Sequence, residues 1–280
     1  MSEEAVRAAA RPGRSAVITI THGRDEHLNR QRLALAANPP DLHVVVGMDD
    51  RPDLPAIPGA PDPVVTRLPP GEGGLPLAEA RNTGARLAVD EGATTLVFLD
   101  VDCIPGPKLL RRYRQAAAQL GPLALLSGPV AYLPPPAGSG YPTCGLDELA
   151  PFHPARPVPA DGQVVAESRF ELFWSLSFCV SSATWDRLGG FHQGYSGYGA
   201  EDTDFAMTAR QAGAQLFWVG GAEAFHQHHE PSRDDPTHQG EMVRNAQLFH
   251  RRHGWWPMRD WLENLPTPAL VNLDPERNRP

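Results

Sequence analysis

Apolar runs that end in turn residues recur through the first half of the chain, and stretches with helical spacing separate them. Residues 15–23 (SAVITITHG) read as a strand emptying into a loop, and 42–50 (LHVVVGMDD) as a second strand. A short strand is expected around Val64 and Val65, after a Pro-rich loop. Residues 94–105 (TTLVFLDVDCIP) rise through an apolar run between Gly92 and Pro105 and read as a buried strand, and 123–133 (LALLSGPVAYL) as another. Between them lie three predicted helices. Residues 24–40 carry Leu28, Leu33 and Leu35 at helical spacing and stop at Pro39. Residues 75–92 begin near Pro76 and end at Gly92, and 106–121 form the third. Strand and helix alternate, which predicts an α/β fold with a mostly parallel central sheet flanked by helices.

The second half is patterned differently. Residues 134–168 are rich in Pro and Gly and read as a long loop or lid. An apolar, aromatic segment follows and turns at Gly189 and Gly190, then comes a glycine-spaced aromatic loop, an acidic helix start, a strand and a histidine cluster. Residues 240–265 read as a final amphipathic helix with an aromatic end. No internal repeat is visible.

The polar residues gather where the predicted strands end. In open sheets of this kind ligands bind beyond the carboxyl ends of the strands, and Asp49, Asp50, Asp100 and Asp102 all fall there. Residues two apart on a strand share a face, so Asp100 and Asp102 are expected to converge and to hold a divalent cation between them. In GYGAEDTD, Gly197 and Gly199 flank Tyr198 and allow close approach of a ligand to the backbone. Glu201, Asp202 and Asp204 then occupy the first turn of a helix. Dipole complementarity accounts for Asp204, while a carboxylate beside a substrate hydroxyl is a good general base. In FHQHHEP, His226 and His228 stand two apart at a strand end, with His229 next to them. Carboxylates plus an imidazole suit Mn2+, with Mg2+ as the alternative. Arg81 and Asn82 sit on the helix before the Asp-Val-Asp strand, where an arginine can meet a nucleotide's phosphates or base.

Composition narrows the partners. The chain has 280 residues and a net charge of −8, which argues against nucleic acid as a partner. Its three cysteines, Cys103, Cys144 and Cys179, lack metal-ligand spacing and imply a reducing compartment. Residues 1–14 read as a disordered leader without the apolar core of a signal peptide, and no apolar stretch is long enough for a membrane span. A cytoplasmic protein is expected.

Taken in order, ITITHGR, ARNTGA, FLDVDCIP and LGGFHQGYSGYGAEDTDFAMTARQAG resemble the family-2 glycosyltransferases of the GT-A (Rossmann-like) fold, over most of the chain. GYGAEDTD also resembles the GWGGED segment of β-1,4-galactosyltransferases and polypeptide N-acetylgalactosaminyltransferases. The resemblance implies a nucleotide-sugar donor, UDP- or GDP-linked, a divalent metal, and direct displacement with inversion at the anomeric carbon. It implies that residues 15–133 bind the nucleotide sugar and 169–280 form the acceptor and metal half of one domain. Carried over, Thr21 and Arg24 contact the nucleotide, and Asp49 or Asp50 lies near base or ribose. Arg81 and Asn82 face the nucleotide, and Asp100 holds ribose or metal. Asp102 and His226 ligate the metal, with His228 a rival ligand. Asp202 is the catalytic base, and Glu201 binds donor or acceptor hydroxyls. The acceptor is a sugar, lipid-linked or a small molecule, and peripheral membrane contact is compatible with it. Tyr198 departs from the Trp of the galactosyltransferase pattern, which leaves the donor sugar open. The processive Q-x-x-R-W signature is absent, so one sugar per encounter is expected. Two other classes fit the sequence less well. A nucleotidyltransferase would carry a Gly-rich basic loop after the first strand, and THGRDEHLNR has none; a decayed, inactive sugar- or nucleotide-binding protein would have lost its acids, and both sets are present.

Overall fold

A computed structural model describes residues 13–69, 71, 73–136, 138, 140–142, 144–229 and 236–264. Most of the expected leader, and the parts of the 169–280 half at 230–235 and 265–280, lie outside the described residues.

The strands are β1 (Ser15–Thr21), β2 (Leu42–Met48), β3 (Val64–Leu68), β4 (Thr95–Leu99), β5 (Cys103–Pro105), β6 (Ala124–Ser127), β7 (Val130–Tyr132), β8 (Val164–Glu167), β9 (Ser177–Ser181), β10 (Gln215–Val219) and β11 (Ala224–His226). The helices that matter here are α1 (Asp25–Ala36), α2 (Leu77–Asp90), α3 (Leu109–Leu120), α4 (Ser182–Leu188), α5 (Glu201–Gln211) and α6 (Pro236–His253). Eight strands form one sheet in the order β3-β2-β1-β4-β9-β6-β10-β8. β3, β2, β1 and β4 run parallel, as do β6 and β10, while β9 and β8 run against their neighbours. A smaller sheet, β5-β11-β7, stands over the carboxyl ends.

Continuous apolar runs in β1 and β2 follow from burial on both faces. Ala16, Ile18 and Ile20 of β1 pack with α2 and α5, while Val17 packs in the layer of α3, with Leu109, Tyr113 and Ala116. Gly84 lets α2 sit close on β1, because a Cβ there would come within 2.5 Å of the Ile18 side chain. Phe98 stacks on Phe178 across the β4–β9 pairing, with centroids 4.4 Å apart.

Several expectations change. The run 123–133 is two strands in two different sheets, split at Gly128-Pro129; a Cβ at Gly128 would overlap the Ala222 carbonyl. The segment 134–168 is not loop to its end, since Val164–Glu167 pairs antiparallel with β10 and forms the sheet edge. In α1 the buried stripe is Leu28, Gln31, Arg32 and Leu35, and Leu33 is 56% exposed.

Candidate active site

β4 ends at Leu99, one residue before the first aspartate. Asp100 to Cys103 form a turn closed by the Cys103 N–H on the Asp100 carbonyl, 2.8 Å. The two carboxylates are therefore placed by a turn and not by strand alternation, and Asp100 still lies within the field of Asp102. Asp102 meets β11 and the chain after it: its Oδ2 lies 3.5 Å from His226 Nε2 and 3.4 Å from His229 Nε2. One ligand atom from each of these three residues lies within 4.8 Å of the others. His229 takes the place beside His226 that strand spacing offered to His228, because β11 ends at His226 and the face alternation ends with it. The His228 N–H instead donates to the Tyr141 hydroxyl, 2.9 Å. Arg24 Nη1 also reaches Asp102 Oδ2, at 3.3 Å.

Burial works against ionisation of Asp102, but the His229 hydrogen bond and, in the acid range where Asp102 titrates and His226 is protonated, the charges of His226 and Arg24 outweigh it and hold the carboxyl down at about 2. Burial lowers the His226 pKa, which keeps its imidazole neutral and able to ligate. An ionised carboxylate and two imidazoles that share one locus fit a divalent ion of the Mn2+ type.

Asp100 belongs to a different cluster. Arg81, 5% exposed on α2, places Nη2 3.0 Å from Asp100 Oδ1 and Nη1 3.1 Å from Glu201 Oε1. Its guanidinium also lies over Phe191, 5.2 Å from the ring centre. Arg81 thus ties the end of β4 to the start of α5. Asp202 follows Glu201 and has no ion-pair partner among the described residues; its Oδ1 accepts from the Thr203 N–H at 2.7 Å. Burial, then the charge of Asp202, pushes Glu201 up to about 7 against the pull of Arg81. Burial also raises Asp202, with the Thr203 N–H opposing. The expected stabilisation of the Asp202 anion by the helix start is therefore outweighed by burial in the metal-free protein.

The nucleotide-side residues divide. Among the described residues the Thr21 hydroxyl and Asp50 Oδ1 are buried without hydrogen-bond partners, and Asp50 Oδ2 accepts from the Gly23 N–H at 2.9 Å. Asp49 instead pairs with Arg67. Asn82, expected to face the nucleotide, uses both ends of its amide on the Phe191 backbone, at 2.8 Å each, and so fixes the chain after α4. Tyr198 is 55% exposed at the lip of the site. Its loop needs Gly197, whose φ is +72° and whose Cβ would overlap the Glu241 carboxyl.

Supports for the site escaped the sequence reading. Gln31 is fully buried and donates to the Asp100 and Cys103 carbonyls, at 2.8 and 3.0 Å. It accepts from the Thr19 hydroxyl at 2.8 Å, which contacts His43 Nε2 at 3.2 Å. Gln227 donates its N–H to the Asp102 carbonyl at 2.7 Å. On α6, Glu241 accepts from the Tyr198 N–H, and Asn245 donates to the Ser196 and Tyr198 carbonyls. Buried Asp204 binds Arg252, His253 and Tyr195, a structural tie rather than a dipole effect alone. Gln31 fell at the right helical position, three after Leu28 and four before Leu35, but its polarity hid it.

The mostly parallel eight-stranded sheet flanked by helices has the architecture of the GT-A fold. No family model matches the chain. The chain is 26% identical over 265 residues to the validoxylamine A glucosyltransferase of Streptomyces hygroscopicus subsp. limoneus, covering 85% of this chain and 56% of the relative. It is 26% identical over 202 residues to the protein of the same name from subsp. jinggangensis (strain 5008), covering 64% of this chain and 45% of that one. The chain thus spans about half the length of the curated relatives it matches. Among solved structures it is similar to GalNAc-T7 with UDP, GalNAc and Mn2+, with a TM-score of 0.59 and 14% identity over 94% of this chain and 52% of that one. That likeness shows the fold. No helix among the described residues is long and apolar enough to cross a membrane.

Proposed function

We propose that the chain is a metal-dependent, inverting glycosyltransferase of the family-2 kind, moving a sugar from a nucleotide-sugar donor to an acceptor hydroxyl. The observation that carries this reading is the Asp102–His226–His229 cluster at the sheet's carboxyl rim, beside the carboxylates of α5. The glucosyltransferase relatives support it, and the fold neighbour solved with UDP and Mn2+ favours a UDP-linked donor and manganese. A divalent ion held by Asp102, His226 and His229 would neutralise charge on the donor's diphosphate. Thr21, Asp50 and Arg24 bind the nucleotide at the ends of β1 and β2. Arg81 holds Asp100 toward the ribose and keeps Glu201 oriented for sugar hydroxyls. Asp202 carries no cation of its own and takes the acceptor's proton as the new bond forms. Tyr198 and its loop border the acceptor.

The test is a screen of UDP- and GDP-sugars for release of the nucleoside diphosphate with and without Mn2+. Metal-dependent release that Asp102→Ala abolishes is expected. No release from any donor, together with no metal-dependent UDP or GDP binding, would sink the proposal.

A further inference from the structure

A cleft beside this site has features the proposed reaction does not use. It is lined by Ser127, Tyr132, His153, Arg156, Trp174 and Trp218, among others. The Arg156 guanidinium lies flat over Trp174, 3.0 Å from the ring centre. Its Nε donates to the Leu172 carbonyl at 3.0 Å, and Nη1 contacts His153 Nδ1 at 3.3 Å. No carboxylate among the described residues forms an ion pair with it. Burial pushes this guanidinium down to about 10. Deeper in the same cleft, Trp218 is 1% exposed and its indole N–H has no hydrogen-bond partner among the described residues. A half-buried cation without a paired counter-charge and a buried N–H without an acceptor are each unfavourable until something supplies one. Both groups only donate, so the complement is an acceptor, and beside a cation with no paired counter-charge an oxyanion fits best.

The wall of the cleft says which oxyanion. His153 stacks edge-on to Trp174 at 5.2 Å and to Tyr132 at 6.2 Å, and Tyr132 lies 4.9 Å from the ring of His226. A row of rings therefore runs from the metal cluster to Arg156, a surface suited to the apolar faces of a sugar. Arg156 also lies within the field of Asp202, the proposed base. The donor's diphosphate is already served by Arg24 and the metal cluster. We propose that this cleft is an acceptor subsite that takes a carboxylate or phosphate group borne by a sugar-like ring, with Arg156 and the Trp218 N–H as its donors. The assignment to the acceptor rests on the transferase reading.

The test is calorimetric titration of the full chain, in the presence of Mn2+, with glucose, glucuronate and glucose 6-phosphate. At least one anionic sugar is expected to bind about tenfold or more tighter than glucose, the scale of one charge-assisted hydrogen bond. Arg156→Gln should erase that preference, and Trp218→Phe, which keeps the ring and removes the N–H, should weaken it. UDP binding with Mn2+ should be unchanged in Arg156→Gln. Equal binding of charged and neutral sugars, no binding of any of the three, or a preference that survives Arg156→Gln would overturn the subsite. Displacement of the anionic sugar by UDP would assign the anion to the donor and overturn the acceptor assignment. Failure of the wild-type chain to bind UDP with Mn2+ would count against the transferase reading and, with it, the assignment to the acceptor, while the sugar titrations report on the anion site separately.

Discussion

Replacing Gln31 by methionine, a side chain of similar length with no hydrogen-bonding amide, should loosen the metal turn before it unfolds the protein. Gln31 Nε2 donates to the Asp100 carbonyl at 2.8 Å and the Cys103 carbonyl at 3.0 Å, the two ends of the turn that carries Asp102. Its Oε1 accepts from Thr19, so the chain of bonds runs one way, from His43 through Thr19 to the turn. Burial depresses the His43 pKa to about 3, so the imidazole is neutral, and because the Thr19 hydroxyl proton goes to Gln31 the ring must supply the N–H at the head of the chain. Methionine leaves two turn carbonyls and the Thr19 hydroxyl without this partner. Each buried group so orphaned costs about 1–3 kcal/mol, and partial relaxation brings the sum to about 3–5 kcal/mol, a large share of a typical domain's stability. Urea unfolding measures this, and Mn2+ titration measures the turn. Mn2+ affinity should fall about tenfold or more while the fold persists at low denaturant. Thr19→Val is the control: it breaks the chain upstream, should cost about 1–2 kcal/mol, and should leave Mn2+ affinity near wild type, because both turn bonds remain. If Gln31→Met bound Mn2+ like the wild type, or if Thr19→Val lost affinity as severely, the turn would not depend on Gln31 as argued.

Other outcomes follow from the same geometry. His229→Ala should weaken Mn2+ binding as strongly as His226→Ala, whereas His228→Ala should not, and calorimetry separates the three; the reverse ranking would move the ligand to His228. Asp202→Asn should cut turnover by roughly a hundredfold or more with UDP and Mn2+ affinities intact, and near-normal turnover would remove Asp202 from the role of base. In metal-free protein the Glu201 carboxyl should titrate near 7 by NMR, so folded protein holds its proton more tightly than unfolded chain; that contribution to stability is complete below the ordinary carboxylate pKa and is lost as pH rises through 7. A Glu201 titration at or below the ordinary value would refute the burial argument. Gly197→Ala should distort the Tyr198 loop, because a methyl group would strike the Glu241 carboxyl at a positive φ; unchanged loop protection in amide hydrogen exchange would show that the loop tolerates it.

The alternation of strands and helices, and the gathering of acids at strand ends, were readable because both follow from periodicity and from the rule that places ligands at the carboxyl rim of such sheets. What escaped lies where periodicity stops. Asp100 and Asp102 share no strand face, because β4 ends at Leu99 and the Cys103 N–H closes a turn. His229 displaces His228 for the same reason, since alternation beyond His226 has no strand to enforce it. In α1 the apolar template favoured Leu33 over Gln31, yet Gln31 is buried and Leu33 is exposed. A polar residue in a buried stripe breaks the pattern where a neighbouring turn has carbonyls to satisfy, and such local failures are expected around a site. Asn82 was misplaced by proximity: it neighbours Arg81 in sequence but points its amide at Phe191.

Arg81 explains why the two halves of the site stay in register. It is one buried guanidinium with an aspartate from the β4 end on one nitrogen and a glutamate from the α5 start on the other. Such a bridge adds little net stability, because taking three charges out of water offsets most of their attraction. Loss of one member is another matter, since it strands the others; removing a partner from a buried pair costs about 3–5 kcal/mol. The bridge therefore acts on geometry. Asp100 cannot swing toward Asp102 without leaving Arg81, so Asp102 is left to His226 and His229. Glu201 stays with Arg81, and Asp202, the proposed base, has no ion-pair partner among the described residues. One arginine thus pairs with Asp100 and Glu201 and leaves Asp102 and Asp202 outside its ion pairs, the division of charge that the proposed metal-assisted transfer to a hydroxyl would use.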